Sequence, residues 1–564
     1  MSTLHEKIIR DFTDCEKIEN FRLGSGGELK KREGFVRLHS FKTAIRGAVS
    51  DGDTIYSVSD KSFYVYKDEK MTLKGTLSGA VFSSVEEKVT MFIHAPNVFI
   101  IGGGGYYSYD TVANTFTVLS GYAPVLGTTD STEDAQIIKE DFNLLTETVR
   151  RHFRMSKTQY TYSIPEKSTK VTTIKVNDVQ IDSSLYIVSK SNNSITITLD
   201  SSVVLEYEGI LEVEYIVVKT VFTANRSKIT DCKKSYVFST DAGAILFLYD
   251  SPHMSPGRII YSKCPDAPTN SCNGFDYFPD KRELLIGDGT KPIHTIVEIG
   301  DRTVAITSDG IYEIRESILA NGDVKFYTSR LYSELGASES SGAVVYENYA
   351  FFMNETGLFR LSYDLMNSLY KIVQIDIPES IISSKNLYKS TQLHIDRGNG
   401  ELWFYNGNGV GVYSIRYQKW YHFSGINADF FFNVNAKTAF VDYNTLNIFD
   451  ETVYEDADGG FEAFIESKNI SFDNVFTEKT IYAFGAAFER RDGAVLECVL
   501  INDKGNEFCT VIESDGSGVI SPVVRNIHAR LGKSAYIIYR ISSPDYASPA
   551  NLQEIMFRYR TTGV

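Results

Sequence analysis

Residues 97–110 read NVFIIGGGGYYSYD. A β-branched and aromatic run, a glycine turn and a second aromatic run predict a tight β-hairpin. The same plan recurs at Thr54 to Tyr66 (TIYSVSDKSFYVY), Lys234 to Tyr249, Asp301 to Ile314 (DRTVAITSDGIYEI), Asn348 to Asp364, Glu401 to Ile415 and Lys437 to Glu451. The seven starts are spaced by 43, 137, 67, 47, 53 and 36 residues. A period of about 40 to 50 residues is that of a β-propeller blade. Each hairpin is expected to supply the middle strands of a blade, one row of side chains facing the next blade and the other facing solvent.

The 137-residue gap predicts an inserted domain at 127–220. Within it, Ile137, Ile138, Phe142, Leu145, Val149 and Phe153 recur at mostly helical spacing, which predicts a helix over Glu133 to Phe153. Short alternating segments then predict a small β-sandwich, with turns at Asn177-Asp178 and Ser189 to Asn193. The propeller is expected at 44–126 and 221–461, and a C-terminal β-sandwich at 462–564. Residues 1–43 are expected to form an arm or a strand that closes the propeller ring. The fold class is therefore all-β.

Composition agrees with this. Tyr and Phe number 35 each against 2 Trp, and 43% of residues are apolar, which suits packed sheets. The opening residues lack an apolar run of signal-peptide length, and no stretch of about 18 apolar residues follows. Cys15, Cys232, Cys264, Cys272, Cys498 and Cys509 show no CxxC spacing, although Cys498 and Cys509 could face each other across a hairpin. The net charge of −15 and pI of about 5.2 exclude a general nucleic-acid binder. Lys30-Lys31-Arg32 and Arg490-Arg491 read as short solvated clusters. An acidic wall repels phosphates and so lets DNA slide past without adhering.

No HExxH, GxSxG or GxxxxGK[ST] motif is present, and the nine histidines show no metal-ligand spacing. No catalytic, cofactor or metal residue is assigned, and no enzymatic activity is expected. Gly102 to Gly105 and Asn406 to Gly409 read as hairpin turns, and Asp51, Asp53 and Asp309 as turn residues. Trp403, Trp420, Tyr421 and Phe430 to Phe432 read as blade packing, with a sugar-stacking platform or interface hot spot as the alternative.

Three segments resemble bacteriophage short-tail hub or nozzle proteins, also called packaged-DNA stabilisation proteins. Glu19-Asn20-Phe21-Arg22-Leu23, Gly26-Gly27 and Leu29 to Phe35 are similar to the opening N-x-R … G-G-L-x-K-R-P-G-F of that family, with Glu33 where its members carry Pro. Asp141 to Thr146 with Arg150 to Phe153 resembles the start of its inserted domain. Arg258 to Ser262, Phe275 to Asp280 and Ile286 to Gly289 resemble one of its blades. The resemblance implies a virion tail component assembled in the host cytoplasm, a ring of itself, commonly a hexamer, below portal and adaptor. DNA would be retained and then pass through its lumen without sequence-specific binding. A receptor- or carbohydrate-binding tail protein, or a propeller polysaccharide hydrolase, are the rival readings.

Overall fold

The computed structural model describes residues 4–562 apart from 13–14, 25–26, 130–139, 192–193, 204–208, 241–242, 264–273, 320–322, 339–341, 380, 382–391, 406–408, 458, 469, 471, 473–476, 490–494, 503, 514–519, 533–534 and 542–550. Seven four-stranded antiparallel meanders make the propeller: blades one (45–76), two (90–118), three (234–285), four (293–333), five (343–375), six (393–424) and seven. Blade seven takes three strands from 430–450, and its outer strand is Gly34–Ser40 from the chain's beginning, in register Phe449 to Phe35 and Thr445 to Ser40. The innermost strand of blade one, Ile45–Asp51, touches those of both blade two and blade seven, so the circle closes.

The expectation that one blade face meets solvent is corrected. In Asn97–Gly102, Val98 and Ile100 enter the core shared with blade one, while Phe99 and Ile101 enter the core shared with blade three. Every blade of a closed ring has two neighbours, so its middle strands bury both faces. Burying such a side chain contributes roughly 1.5–3 kcal/mol. The predicted hairpins are the middle strands of their blades except in blade three. There Lys234–Thr240 and Gly243–Tyr249 are the first and second strands. Gly103 and Gly104, with φ of 58° and 76°, supply the left-handed turn expected of them. Residues 406–408 and Arg490-Arg491 lie outside the described residues.

Between blades two and three sits a β-sandwich. One sheet has the order Val125–Thr129, Thr148–Arg154, Ile210–Val217, Ser168–Val176, Val179–Gln180, and it faces Thr161–Ile164, Ile195–Leu199 and Tyr186–Lys190. Val149, Phe153, Tyr162, Ile197, Val213 and Tyr215 fill its core. The predicted helix is corrected where the structure describes it: Thr148–Arg154 is a strand paired with Ile210–Val217. Val149 and Phe153, four residues apart, share a face of a strand as readily as of a helix, and the neighbouring strand decides between them. Residues 130–139 lie outside the described residues.

Glu212 organises this sandwich. Arg150, His152 and Lys175 lie 3.1, 3.0 and 3.0 Å from its carboxylate. The hydrogen bond to His152, with those of the cations, outweighs burial and holds its pKa at about 2 against an ordinary 4.5. A depressed carboxylate contributes stability above pH 4.5 that is lost as pH falls toward 2, here on the order of 3 kcal/mol. Hydrogen exchange across acid pH should therefore show the insertion opening below pH 4.5, and Glu212→Gln should flatten that dependence. An unchanged acid profile would contradict this.

The chain's two ends build the last domain together. Leu4–Ile9 and Leu29–Lys31 both pair with Asn551–Thr562, in a sheet that also holds Phe21–Leu23, Glu478–Glu489 and Ile520–Gly532. The facing sheet runs Cys15–Glu19, Ala463–Ser467, Ala535–Ile541, Val495–Asn502, Glu507–Glu513, and continues blade six through a parallel contact of Glu19 with His422. The C-terminal sandwich is thus completed by Leu4–Ile9, Cys15–Glu19, Phe21–Leu23 and Leu29–Lys31, and Gly34–Ser40 closes the ring. Cys498 pairs with Thr510 and Cys509 with Val499, which puts one thiol inside and the other outside. The two cysteines that could have faced each other are a register step apart.

Candidate functional site

The described residues between Asn20 and Phe35 thread between blade six, blade seven and the C-terminal sandwich, and Asn20, Arg22, Lys31 and Arg32 are buried there. Asn20 has φ of 57°, a conformation asparagine tolerates better than most residues. Its Nδ2 donates to Ser424 Oγ (2.8 Å) and the Glu462 carbonyl (2.6 Å). Its Oδ1 accepts from Arg32 Nε (2.9 Å) and the Ser424 amide (3.0 Å). Arg32, fully buried, donates to both oxygens of Asp456 (2.9 and 2.6 Å) and to the carbonyls of Glu33 and Ser424. Its guanidinium lies 3.7 Å from the Phe461 ring centroid. A Cβ on Gly34 would overlap the Glu455 carbonyl oxygen, so this position requires glycine.

The expectation of a solvated Lys30-Lys31-Arg32 cluster is therefore corrected. Lys30 is half exposed, whereas Lys31 is buried with its Nζ on the Tyr454 carbonyl at 3.2 Å. Burial and the charge of Arg32 bring the Lys31 pKa down to about 8.

Arg22 lies at the floor of a cleft of about 580 Å³. Its Nε bonds Glu401 at 3.2 Å, one terminal nitrogen bonds Asp396 at 3.2 Å, and the other pairs with Glu33. Glu401 also accepts from Trp403 Nε1 (3.0 Å) and from the Tyr421 hydroxyl. Asp396 closes its own turn onto Gly398 and Asn399. Burial pushes the Glu401 carboxyl up against the pull of Arg22. Lys30, Arg416, Lys437 and Glu451 line the mouth. Both deep carboxylates have their acceptor positions filled by the fold, so in this arrangement the cluster acts as a clamp on Arg22.

Trp403 and Tyr421 are fully buried and Trp420 donates to the Asp376 carbonyl at 2.9 Å, packed on Tyr413. The packing reading holds for Trp403, Tyr421 and Phe431, which are buried, while Phe430 and Phe432 are partly buried against the core between blades seven and one. Sequence reasoning missed the partners: Asp396, Glu401 and Asp456 lie more than 370 residues from the arginines they hold, and no local pattern marks them.

A second joint fixes the insertion. Asn143, fully buried, donates to the carbonyls of Tyr122 (2.8 Å) and Asp276 (2.9 Å) and accepts from the amides of Leu145 (3.1 Å) and Phe278 (3.0 Å). Around it the Leu144 amide bonds the Phe278 carbonyl, the Asp280 amide the Phe142 carbonyl, and the Tyr277 hydroxyl the Asp141 carbonyl. Arg226 ties the carbonyls of Leu119, Ser120 and Leu145 together from below. Among the described residues no group of three or more His, Cys, Asp or Glu is placed to hold a metal ion.

No family model matches the chain, and no curated protein does. Among solved structures it is similar to exo-β-1,3-galactanase from Phanerochaete chrysosporium, at 12% identity and TM-score 0.18 over 85% of this chain and 99% of that one. It is also similar to the β-propeller domain of Swd1 from Myceliophteria thermophila, at 8% identity and TM-score 0.31 over 72% and 98%. A protein described as a glycoside hydrolase matches at 9% identity and TM-score 0.23 over 92% and 99%. These values transfer no activity to this chain. They do correct the expectation that it has none, because hydrolases stand among its structural neighbours. The physical reason is that a glycosidase needs only two carboxylates at a set separation, and separate blades can supply them without any linear motif.

Proposed function

We propose that this chain is the wall-forming subunit of a bacteriophage short-tail hub or nozzle. It packs with copies of itself, as a hexamer, around a central axis below portal and adaptor, and DNA is retained by and then passes through the lumen. The observation that carries this reading is where the family-like residues fall. Asn20, Arg22, Arg32, Gly34 and Phe35 lock blades six and seven to the C-terminal sandwich. Asn143 and the 276–280 segment lock the insertion to blade three. The residues that carry the resemblance therefore hold domains at fixed angles, which is what a conduit wall needs while DNA moves through it. The net charge of −15 supports the same reading, since an acidic lumen keeps phosphates mobile.

Native mass measurement of the protein, alone and mixed with portal and adaptor, tests it. A single closed stoichiometry, six copies, is expected in at least one sample. Monomers throughout, together with glycan binding or polysaccharide cleavage, would contradict it and favour a carbohydrate-directed propeller.

A further inference from the structure

The cleft of about 580 Å³ above Arg22 carries side chains that the clamp on Arg22 does not use. It opens where turns of blades six and seven meet the N-terminal segment. Arg416 stands in the turn between Gly409–Ser414 and Lys419–Ser424, and Asn399 in the turn between Leu393–Asp396 and Glu401–Tyr405. Lys437 begins the second strand of blade seven, Glu451 follows the third, and Lys30 comes from Leu29–Lys31. Arg416 and Glu451 are exposed, and among the described residues neither pairs with an opposite charge. Lys30 and Lys437 reach Glu28 and Asp450 at 3.5 and 3.4 Å with about half of each lysine side chain in solvent. Exposed pairs of that length contribute little. The charge is graded with depth. At the floor one guanidinium faces the carboxylates of Glu33, Asp396 and Glu401, and at the mouth three cations face Glu451 alone.

A positive mouth over a negative floor selects a particular ligand. Three cations gathered on a chain of net charge −15 attract an anionic group. The floor and Glu451 repel a second one placed deeper, which disfavours DNA and acidic peptides with their closely spaced charges. A molecule with one anionic group and many hydroxyls suits both ends. Its hydroxyls can donate to Glu451 and to Asn399, which holds Asp396 through its Nδ2 at 2.9 Å and offers its Oδ1. Tyr417 and Tyr454, both partly exposed, add amphipathic ring surface, and the Arg416 guanidinium lies 5.5 Å from the Tyr417 ring centroid. The volume lies within the roughly 300–1,000 Å³ of small-ligand sites. We infer that this cleft binds a sugar unit carrying a single anionic group, carboxylate or phosphate, with that group held by Lys30, Arg416 and Lys437. The inference adds a binding activity and stands whether or not the chain forms a ring.

Titration calorimetry of the full chain tests it with four probes: the glucuronate-containing disaccharide of hyaluronan, glucose 1-phosphate, the neutral disaccharide of chitin and a polyglutamate peptide. At least one of the two anionic sugars should bind, and which one binds distinguishes carboxylate from phosphate. Arg416→Ala and Lys437→Ala should each weaken that binding on the order of tenfold, with Arg416→Lys retaining part of it. Both positions are exposed, so an unchanged melting profile is expected and checks the fold. Lys157→Ala, at an exposed site on the insertion, should bind as wild type and so separates the cleft from general charge attraction. Equal binding of the neutral disaccharide, tighter binding of polyglutamate, an equal loss in Lys157→Ala, or no binding of either anionic sugar would overturn the inference. Tighter polyglutamate binding lost in Arg416→Ala would instead make the cleft a dock for an acidic protein segment.

Discussion

Asp456→Ala is expected to destabilise the chain by about 3–5 kcal/mol, among the largest effects any single substitution here can have. Among the described residues, this carboxylate is the acidic partner of a guanidinium with no solvent exposure. Removing it leaves Arg32 charged and buried, held by the carbonyls of Glu33 and Ser424, the Asn20 Oδ1 and the Phe461 ring, with no opposite charge. At roughly 2–4 °C per kcal/mol for a domain of this size, the transition involving blade seven and the C-terminal sandwich should fall on the order of 10 °C. A double variant, Arg32→Met with Asp456→Leu, should recover much of the loss, because the desolvation cost of the pair disappears with the pair. A loss under about 1 kcal/mol for Asp456→Ala would show that the joint does not depend on this pair.

The second large effect is expected at Asn143. Asn143→Ala strands the Tyr122 carbonyl and the amides of Leu145 and Phe278, and leaves the Asp276 carbonyl with the Tyr122 amide alone. Each unsatisfied buried group costs about 1–3 kcal/mol, and partial relaxation should leave a net loss of at least about 3 kcal/mol. The damage should be local. Hydrogen exchange and limited proteolysis should accelerate at 121–145 and 274–282 while the blades keep their protection. Asn143→Asp separates geometry from chemistry, since it keeps acceptors for the amides of Leu145 and Phe278 but turns two donors into acceptors facing carbonyls. It should be at least as damaging as alanine. Unchanged protection in both variants would mean that the backbone bonds of Leu144 and Asp280 suffice.

The sequence made the blades legible because their signal is local. Asn97 to Asp110 carries turn, strands and aromatic packing within fourteen residues, and the structure forms Asn97–Gly102 and Gly105–Asp110 from it. The later short strands of the insertion were legible for the same reason, whereas Thr148–Arg154 read as a helix. What stayed hidden depends on residues far apart in the chain. Leu4–Ile9 pairs with a strand some 550 residues away, and nothing in LHEKII says so. Lys31 and Arg32 look like surface charges until Tyr454, Asp456 and Phe461 arrive from the other end of the propeller. The strand Ile520–Gly532 escaped because Pro522 argues against a strand interior. The clamp of Glu401 and Asp396 on Arg22 was invisible for the same reason of distance. Family-like residues pointed to these places without indicating their role, which is to join domains.

The measurement closest to the central claim is negative-stain imaging of the purified chain with portal and adaptor. Class averages are expected to show closed rings of propellers around a central hole wide enough for a DNA duplex, with the insertion projecting from each subunit. Particles of single propellers in every mixture, with no ring and no hole, would contradict the account.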